Sequence, residues 1–183
     1  LKKKAGEMKY WIITDTHFGH DSPTSPMITQ CGRPDGFSQK ILINLNRTKQ
    51  CPDILIHLGD ICFGREEYWH NELNKWVCGK KWLIRGNHDK KSDTWYLEHG
   101  WDFVAEWIWI VKFGKNILLS HKPIADCGYD LNIHGHFHNA DHRRWEPELV
   151  AIRNDKQILL ALETLNYMPI NLQTVIEQAG EAH

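Results

Sequence analysis

Short apolar runs alternate along the chain with stretches whose apolar residues recur every three or four positions, the order expected of sheets layered against helices. Strands are predicted over residues 10–14, 54–58, 82–85, 117–120 and 131–134, where apolar residues run with little interruption. Between them, Ser38 is the predicted N-cap of a helix carrying Ile41, Leu42 and Leu45. A second helix places Trp69, Leu73, Trp76 and Val77 at i, i+4, i+7 and i+8 and is expected to stop at Gly79. In the second half the strand pattern prevails. Residues 107–113 and 115–120 flank Gly114 as a hairpin, residues 157–162 read as a further strand, and Asn171 caps a last helix bearing Leu172, Val175 and Ile176. No repeat, low-complexity tract or linker breaks this order.

Length and composition narrow the class. At 183 residues, a single domain is expected, taken as residues 8–183, because Met8 stands two residues before the first strand. Residues 1–7 read as an upstream extension or expression remnant. The hydrophobic share of 42% and charged share of 25% exclude disorder and a fibrous repeat. No apolar run approaches the ~20 residues that cross a bilayer, and the first residues lack the apolar core of a signal peptide. No membrane partner and a cytoplasmic location are therefore expected. Five cysteines, an odd count with no C-x-x-C pair, fit neither a disulfide framework nor a zinc ribbon, and are expected to be reduced and packed. A net charge of −1 supplies no general attraction for nucleic acid, leaving Lys90–Lys91 and Arg143–Arg144 as local positive rims. The composition stands out in its twelve histidines, and in nine tryptophans expected to fill the core and its margins.

The polar residues that follow the strands change the picture most. After the first comes Asp15-Thr16-His17, after the second Gly59-Asp60, and after the third Gly86-Asn87-His88-Asp89. His121 follows the fourth, and His134-Gly135-His136-Phe137-His138 closes the fifth. In α/β sheets the carboxyl ends of strands open onto loops that build sites, so these residues can converge although they are far apart in sequence. The donor set is oxygen and nitrogen without thiolate, which suits Mn, Fe, Zn, Co or Ni at a reactive site and not a structural zinc knot. A carboxylate shared by two ions about 3.5 to 4 Å apart, with a water of lowered pKa, is a recipe for phosphate-ester hydrolysis.

In order and without a gap, D-x-H at Asp15/His17, G-D at Gly59-Asp60, G-N-H-D at Gly86 to Asp89, H at His121 and G-H-x-H at Gly135 to His138 resemble the calcineurin-like metallophosphoesterases. The likeness is to short bacterial and phage members, through "DTHFGH", "CGRP", "HLGD" and "NYMPINL", and it covers almost the whole chain from Met8. The resemblance implies a four-layer αββα sandwich of two mixed β-sheets flanked by helices. It further implies one divalent ion held by Asp15, His17 and His138, a second held by Asn87, His121 and His136, and Asp60 bridging them. Manganese is the first candidate in vitro, with Fe, Zn, Ni, Co and Mg as the others. The implied reaction is attack on phosphorus by a hydroxide held between the ions, with His88 stabilising the transferred group and protonating the departing oxygen. Small or flexible phosphomonoesters or phosphodiesters are the expected substrates. A nuclease acting on DNA or RNA ends is a rival, as is a binding module without turnover; oligomeric state is open. The second block, "GDICFG", lacks the additional acid of the G-D-x-x-D form, so the carboxylate that would orient His88 is missing or comes from elsewhere.

The remaining candidates carry two readings each. His20 is a candidate substrate contact or a support for a ligand, and Arg33 a phosphate clamp or a loop anchor. His57 and His134 are expected to be buried behind the ligands, and His70, His99, His142 and His183 to be solvated. Asp89 is expected to fix its loop by hydrogen bonding, and Lys90–Lys91 to be a solvated turn at the rim of the site.

Overall fold

The computed structural model describes residues 8–48, 53–139 and 146–181. Among the described residues, nine strands form two mixed sheets flanked by helices, as expected. The first sheet has the order β4-β3-β2-β1-β9, built from β1 (Tyr10–Ile13), β2 (Ile54–His57), β3 (Lys80–Ile84), β4 (Phe103–Ala105) and β9 (Ile170–Asn171). Its first four strands are mutually parallel, and β9 pairs antiparallel with β1. The second sheet has the order β5-β6-β7-β8: β5 (Trp107–Lys112), β6 (Lys115–Ser120), β7 (Leu131–His134) and β8 (Gln157–Leu159). There β5 and β6 form the predicted hairpin, Lys112 opposite Lys115, with Phe113 (φ 52°) and Gly114 (φ 70°) both left-handed in the two-residue turn.

The central strands read as unbroken apolar runs because both of their faces are buried. Ile13, Leu55 and Leu83 point to one side, where they meet Ile41, Leu42 and Leu45 of α2 (Phe37–Thr48) and Leu73 of α3 (Glu66–Trp76). Ile12, Ile56 and Ile84 point to the other, packing between the sheets against Ile117, Leu119 and Ile133. Leu172, Val175 and Ile176 of α6 (Leu172–Glu181) close that second cluster, and Asn171 Oδ1 accepts the Gln173 N–H at 2.9 Å as the expected cap. Shorter helices, α1 (Pro26–Thr29), α4 (Asp93–Glu98) and α5 (Pro147–Ala151), complete the chain.

Several expectations are corrected. Ser38 lies inside α2 rather than at its cap: its N–H and hydroxyl both donate to Asp21, at 3.0 and 2.5 Å, so a carboxylate from the preceding loop holds the helix start. Helix α3 ends at Trp76, three residues before the left-handed Gly79. His70 is buried, not solvated, because its Nδ1 accepts the indole N–H of Trp101 at 2.9 Å, and burial depresses its imidazole to about 4. Trp107 and Trp109 lie exposed on the outer side of the edge strand β5 instead of in the core. Cys31 and Cys62 are buried thiols, whereas Cys78 is disulfide-bonded. His142, Arg143, Arg144 and His183 lie outside the described residues. No helix among the described residues is long and apolar enough to cross a membrane.

Candidate metal centre

Because β1, β2 and β3 run parallel, and β6 and β7 do too, their carboxyl ends deliver side chains to common edges. The loops that follow are cross-tied by backbone: Asp15 N–H to Gly59 O at 2.9 Å, His17 N–H to Asp60 O at 3.0 Å, and Gly135 N–H to His121 O at 3.0 Å. Asp15 (φ 49°), His17 (φ 44°), Asp60 (φ 57°), His136 (φ 73°) and His138 (φ 45°) all adopt left-handed backbone. Each such residue costs about 1–3 kcal/mol, and a cluster of them is the kind of local strain that functional sites retain. Two motif glycines are needed for space. A Cβ on Gly86 would stand 2.2 Å from Asp60 Oδ1, and one on Gly135 2.2 Å from Asp15 Oδ2.

The seven predicted ligand residues come together. The donor atoms of Asp15, His17 and His138 lie within 4.8 Å of one another, and so do those of Asp60, His121 and His136. Asn87 Oδ1 is 3.0 Å from His121 Nε2, and His136 Nδ1 is 3.2 Å from the same nitrogen. Asp60 Oδ1 accepts the His88 N–H at 2.8 Å, while its Oδ2 lies 3.7 Å from His17 Nε2 and 3.4 Å from His121 Nε2. That one oxygen therefore faces both groups. A third group able to hold a cation, Cys31, His138 and Glu163, shares His138, but Glu163 is already paired with Arg33 at 2.8 Å.

Polar satisfaction tests whether cations fit. Asp15 Oδ2 accepts from the Thr14 hydroxyl at 2.5 Å and from His136 N–H at 2.9 Å, yet its Oδ1 is buried with no hydrogen-bond partner. Both ring nitrogens of His17 are likewise buried and unpartnered. Buried polar atoms left in this state are costly, and a cation would satisfy Asp15 Oδ1 together with one ring nitrogen of His17. Burial holds His17 well below the ordinary imidazole range and so favours the neutral form that ligates metals, with the Asp60 carboxylate opposing it. Burial also disfavours charge on His121, yet a hydrogen bond to Asp60 and the carboxylates of Asp15 and Asp60 push it up to about 9. The centre gathers negative charge and attracts cations.

Around this floor lies a cleft of about 560 Å³ lined by His17, Asp60, His88 and His138, with His20 and Phe63 on its wall. His88 is half exposed, its Nε2 4.0 Å from Asp60 Oδ2 and its ring 5.5 Å from that of His17. His20 stacks on Phe63. Arg33 does not reach the cleft. Its guanidinium is buried, donating to Glu163 at 2.8 Å, to Thr16 O at 3.1 Å and to Asp15 O at 2.7 Å, so it anchors the first ligand loop instead of clamping phosphate. Asp89 fixes its loop as expected, accepting from Asp60 N–H and Gly86 N–H at 2.8 Å each and from Ile61 N–H at 3.1 Å. His57 is buried behind the centre. The Thr16 hydroxyl donates to Ile61 O, so His57 Nε2 donates to that hydroxyl at 2.9 Å while Nδ1 accepts from Gly59 N–H at 3.0 Å.

Two carboxylates escaped the sequence reading. Glu163 Oε1 lies 3.3 Å from His138 Nδ1, and Glu146 meets His136 Nε2 and, at 2.7 Å, Lys122 Nζ. Glu163 directly follows the apolar run 158–162, so the rule that found the other strand-end residues applies to it as well.

A model of the family described as calcineurin-like phosphoesterase matches residues 8–173. Among solved structures, the protein of unknown function AQ665 from Aquifex aeolicus is 28% identical with a TM-score of 0.69, covering 93% of this chain and 99% of its own. The nuclease MPE of Pseudomonas putida is 23% identical over 70% of this chain and 61% of its own, with a TM-score of 0.46. A phosphoesterase from E. coli, Yfce, is 17% identical over 72% and 70%, with a TM-score of 0.40. No curated protein matches.

Proposed function

The chain belongs to the calcineurin-like phosphoesterases, and on that premise we propose that it is a two-metal hydrolase of small phosphomonoesters or phosphodiesters. The observation that carries this reading is Asp60 Oδ2, set 3.7 Å from His17 Nε2 and 3.4 Å from His121 Nε2, one carboxylate oxygen between two donor groups. Asp15, His17 and His138 would hold one ion, Asn87, His121 and His136 the other, and Asp60 both. Bound there, divalent ions supply Lewis-acid charge to the phosphoryl oxygens and lower the pKa of a water.

The protein's own groups do the rest. Hydrolysis joins a water oxygen to phosphorus and breaks the P–O bond to the departing alcohol, which must gain a proton. His88 is the imidazole that reaches the cleft without belonging to either donor group, and its Nε2 donates that proton. Glu146 and Glu163 fix the rings of His136 and His138 through the nitrogen that faces away from the neighbouring donors, and Arg33 holds Glu163 in turn.

Metal-depleted protein, supplied in turn with Mn, Ni, Co, Zn or Mg, is expected to hydrolyse bis-p-nitrophenyl phosphate or p-nitrophenyl phosphate with at least one of them. Silence with all would favour a binding module, and much faster cleavage of a labelled oligonucleotide would favour a nuclease. Glu163→Gln tests the support of His138. It removes the negative charge that Arg33 and His138 face, and should weaken metal binding about 10–100-fold in a calorimetric titration. Unchanged metal affinity would remove Glu163 from the centre.

A further inference from the structure

The sequence block that lacks the additional acid of the G-D-x-x-D form ends in a residue with no role in the centre. Counting along G-D-x-x-D, the position of the missing acid is Phe63. An apolar ring there is unusual company for ligands and imidazoles, and it is 53% exposed. It is also held firmly. One face stacks on His20 with centroids 4.1 Å apart and planes 8° from parallel, and the Phe63 N–H donates to Phe18 O at 2.9 Å. Phe18 in turn stacks on Trp69, and a Cβ on the adjacent Gly19 would collide with that indole at 2.3 Å, so the support is closely packed. His20 Nδ1 is buried and makes no hydrogen bond, so stacking rather than polar contact sets its pairing with Phe63. Pro26 and Met27 extend the same wall of the cleft that has Asp60 and His88 on its floor.

An ordered aromatic ring that keeps much of its surface exposed inside a cleft is a stacking platform. We propose that the Phe63–His20 pair receives a planar base of the substrate, making the substrate class nucleotide-like: a base joined through a sugar to the phosphate. This rests on the phosphoesterase reading above, which puts phosphate at the Asp60 floor. Phe63 lies three residues beyond Asp60 on one continuous segment, and both line the same cleft, so the platform stands beside the floor. The cleft, at about 560 Å³, falls within the range of about 300–1,000 Å³ typical of small-ligand sites.

Titration calorimetry on manganese-loaded protein, with each phosphomonoester supplied as its non-hydrolysable phosphonate analogue, tests the platform without turnover. AMP is expected to bind about tenfold tighter than ribose 5-phosphate, the scale of one base–aromatic stack. Phenyl phosphate, whose ring adjoins the phosphate, should bind like ribose 5-phosphate. Phe63→Leu should abolish the preference for AMP, and Phe63→Trp should keep it. Equal affinities in the wild type, no binding of AMP, a preference that survives Phe63→Leu, or phenyl phosphate matching AMP would each overturn the proposal. Failure of bis-p-nitrophenyl phosphate hydrolysis with every metal would instead overturn the phosphoesterase reading, and the two results are independent.

Discussion

Asp60→Asn is expected to abolish phosphodiester hydrolysis, by on the order of 10³-fold, with the fold intact. The substitution is nearly isosteric. Its carbonyl can take the place of Oδ1 and still accept the His88 N–H, so the loop that carries Asn87 and His88 keeps its tie at 2.8 Å. What it loses is Oδ2, the oxygen that faces His17 and His121 together. An amide nitrogen in that position is a donor and cannot share two cations. Burial alone would raise the Asp60 carboxyl, but the hydrogen bond and charge of His121 and the charge of His17 hold it below the usual carboxylate range. The wild-type residue is thus an anion at any working pH, and the variant removes that charge as well as the ligand atom. Bound metal per chain, measured by elemental analysis, should fall from two towards one or none. Full activity, or two ions retained with Asn at this position, would refute a bridging carboxylate.

The centre was readable in the sequence because its chemistry follows strand topology. Parallel strands with both faces buried appear as apolar runs, and each run here ends in a polar donor, so Asp15, Asp60, Asn87 and His121 could be found by position alone. The residues that were misread, missed or left with two readings are those defined by partners far along the chain. Arg33 has the chemistry of a phosphate clamp, and only Glu163, 130 residues away, and the carbonyls of Asp15 and Thr16 make it an internal strut. His70 looks solvated among the polar residues of α3 until Trp101 donates to it from across the chain. Ser38 has the right chemistry for a cap, but Asp21 takes the role because its loop returns to the helix start. Short edge strands such as β4 and β9 carry too few residues to show a period. Left-handed backbone at five of the site residues leaves no compositional trace, because none of the five is glycine.

The remaining large effect separates leaving groups. His88→Ala should slow hydrolysis of an alkyl phosphomonoester by on the order of 10²-fold or more, and should affect bis-p-nitrophenyl phosphate much less. An alkoxide departs only if it is protonated as the P–O bond breaks, whereas a nitrophenolate departs unaided. The location supports this division. The His88 side chain is 49% exposed at the cleft, so truncating it leaves no buried cavity, and the donor groups of both candidate ion sites are made without its ring. Metal content should therefore be unchanged in the variant, which sets it apart from Asp60→Asn. Among the described residues, the carboxylate within 4.0 Å of His88 Nε2 is Asp60 itself, already engaged with His17 and His121, and the position that would supply a dedicated acid is the aromatic Phe63. An imidazole without its own carboxylate is less firmly oriented, so the wild-type protein should already favour esters with good leaving groups over alkyl ones. Equal losses on both substrates would show that His88 binds the phosphoryl group without acting as the leaving-group acid. The absence of any loss would take it out of the reaction altogether.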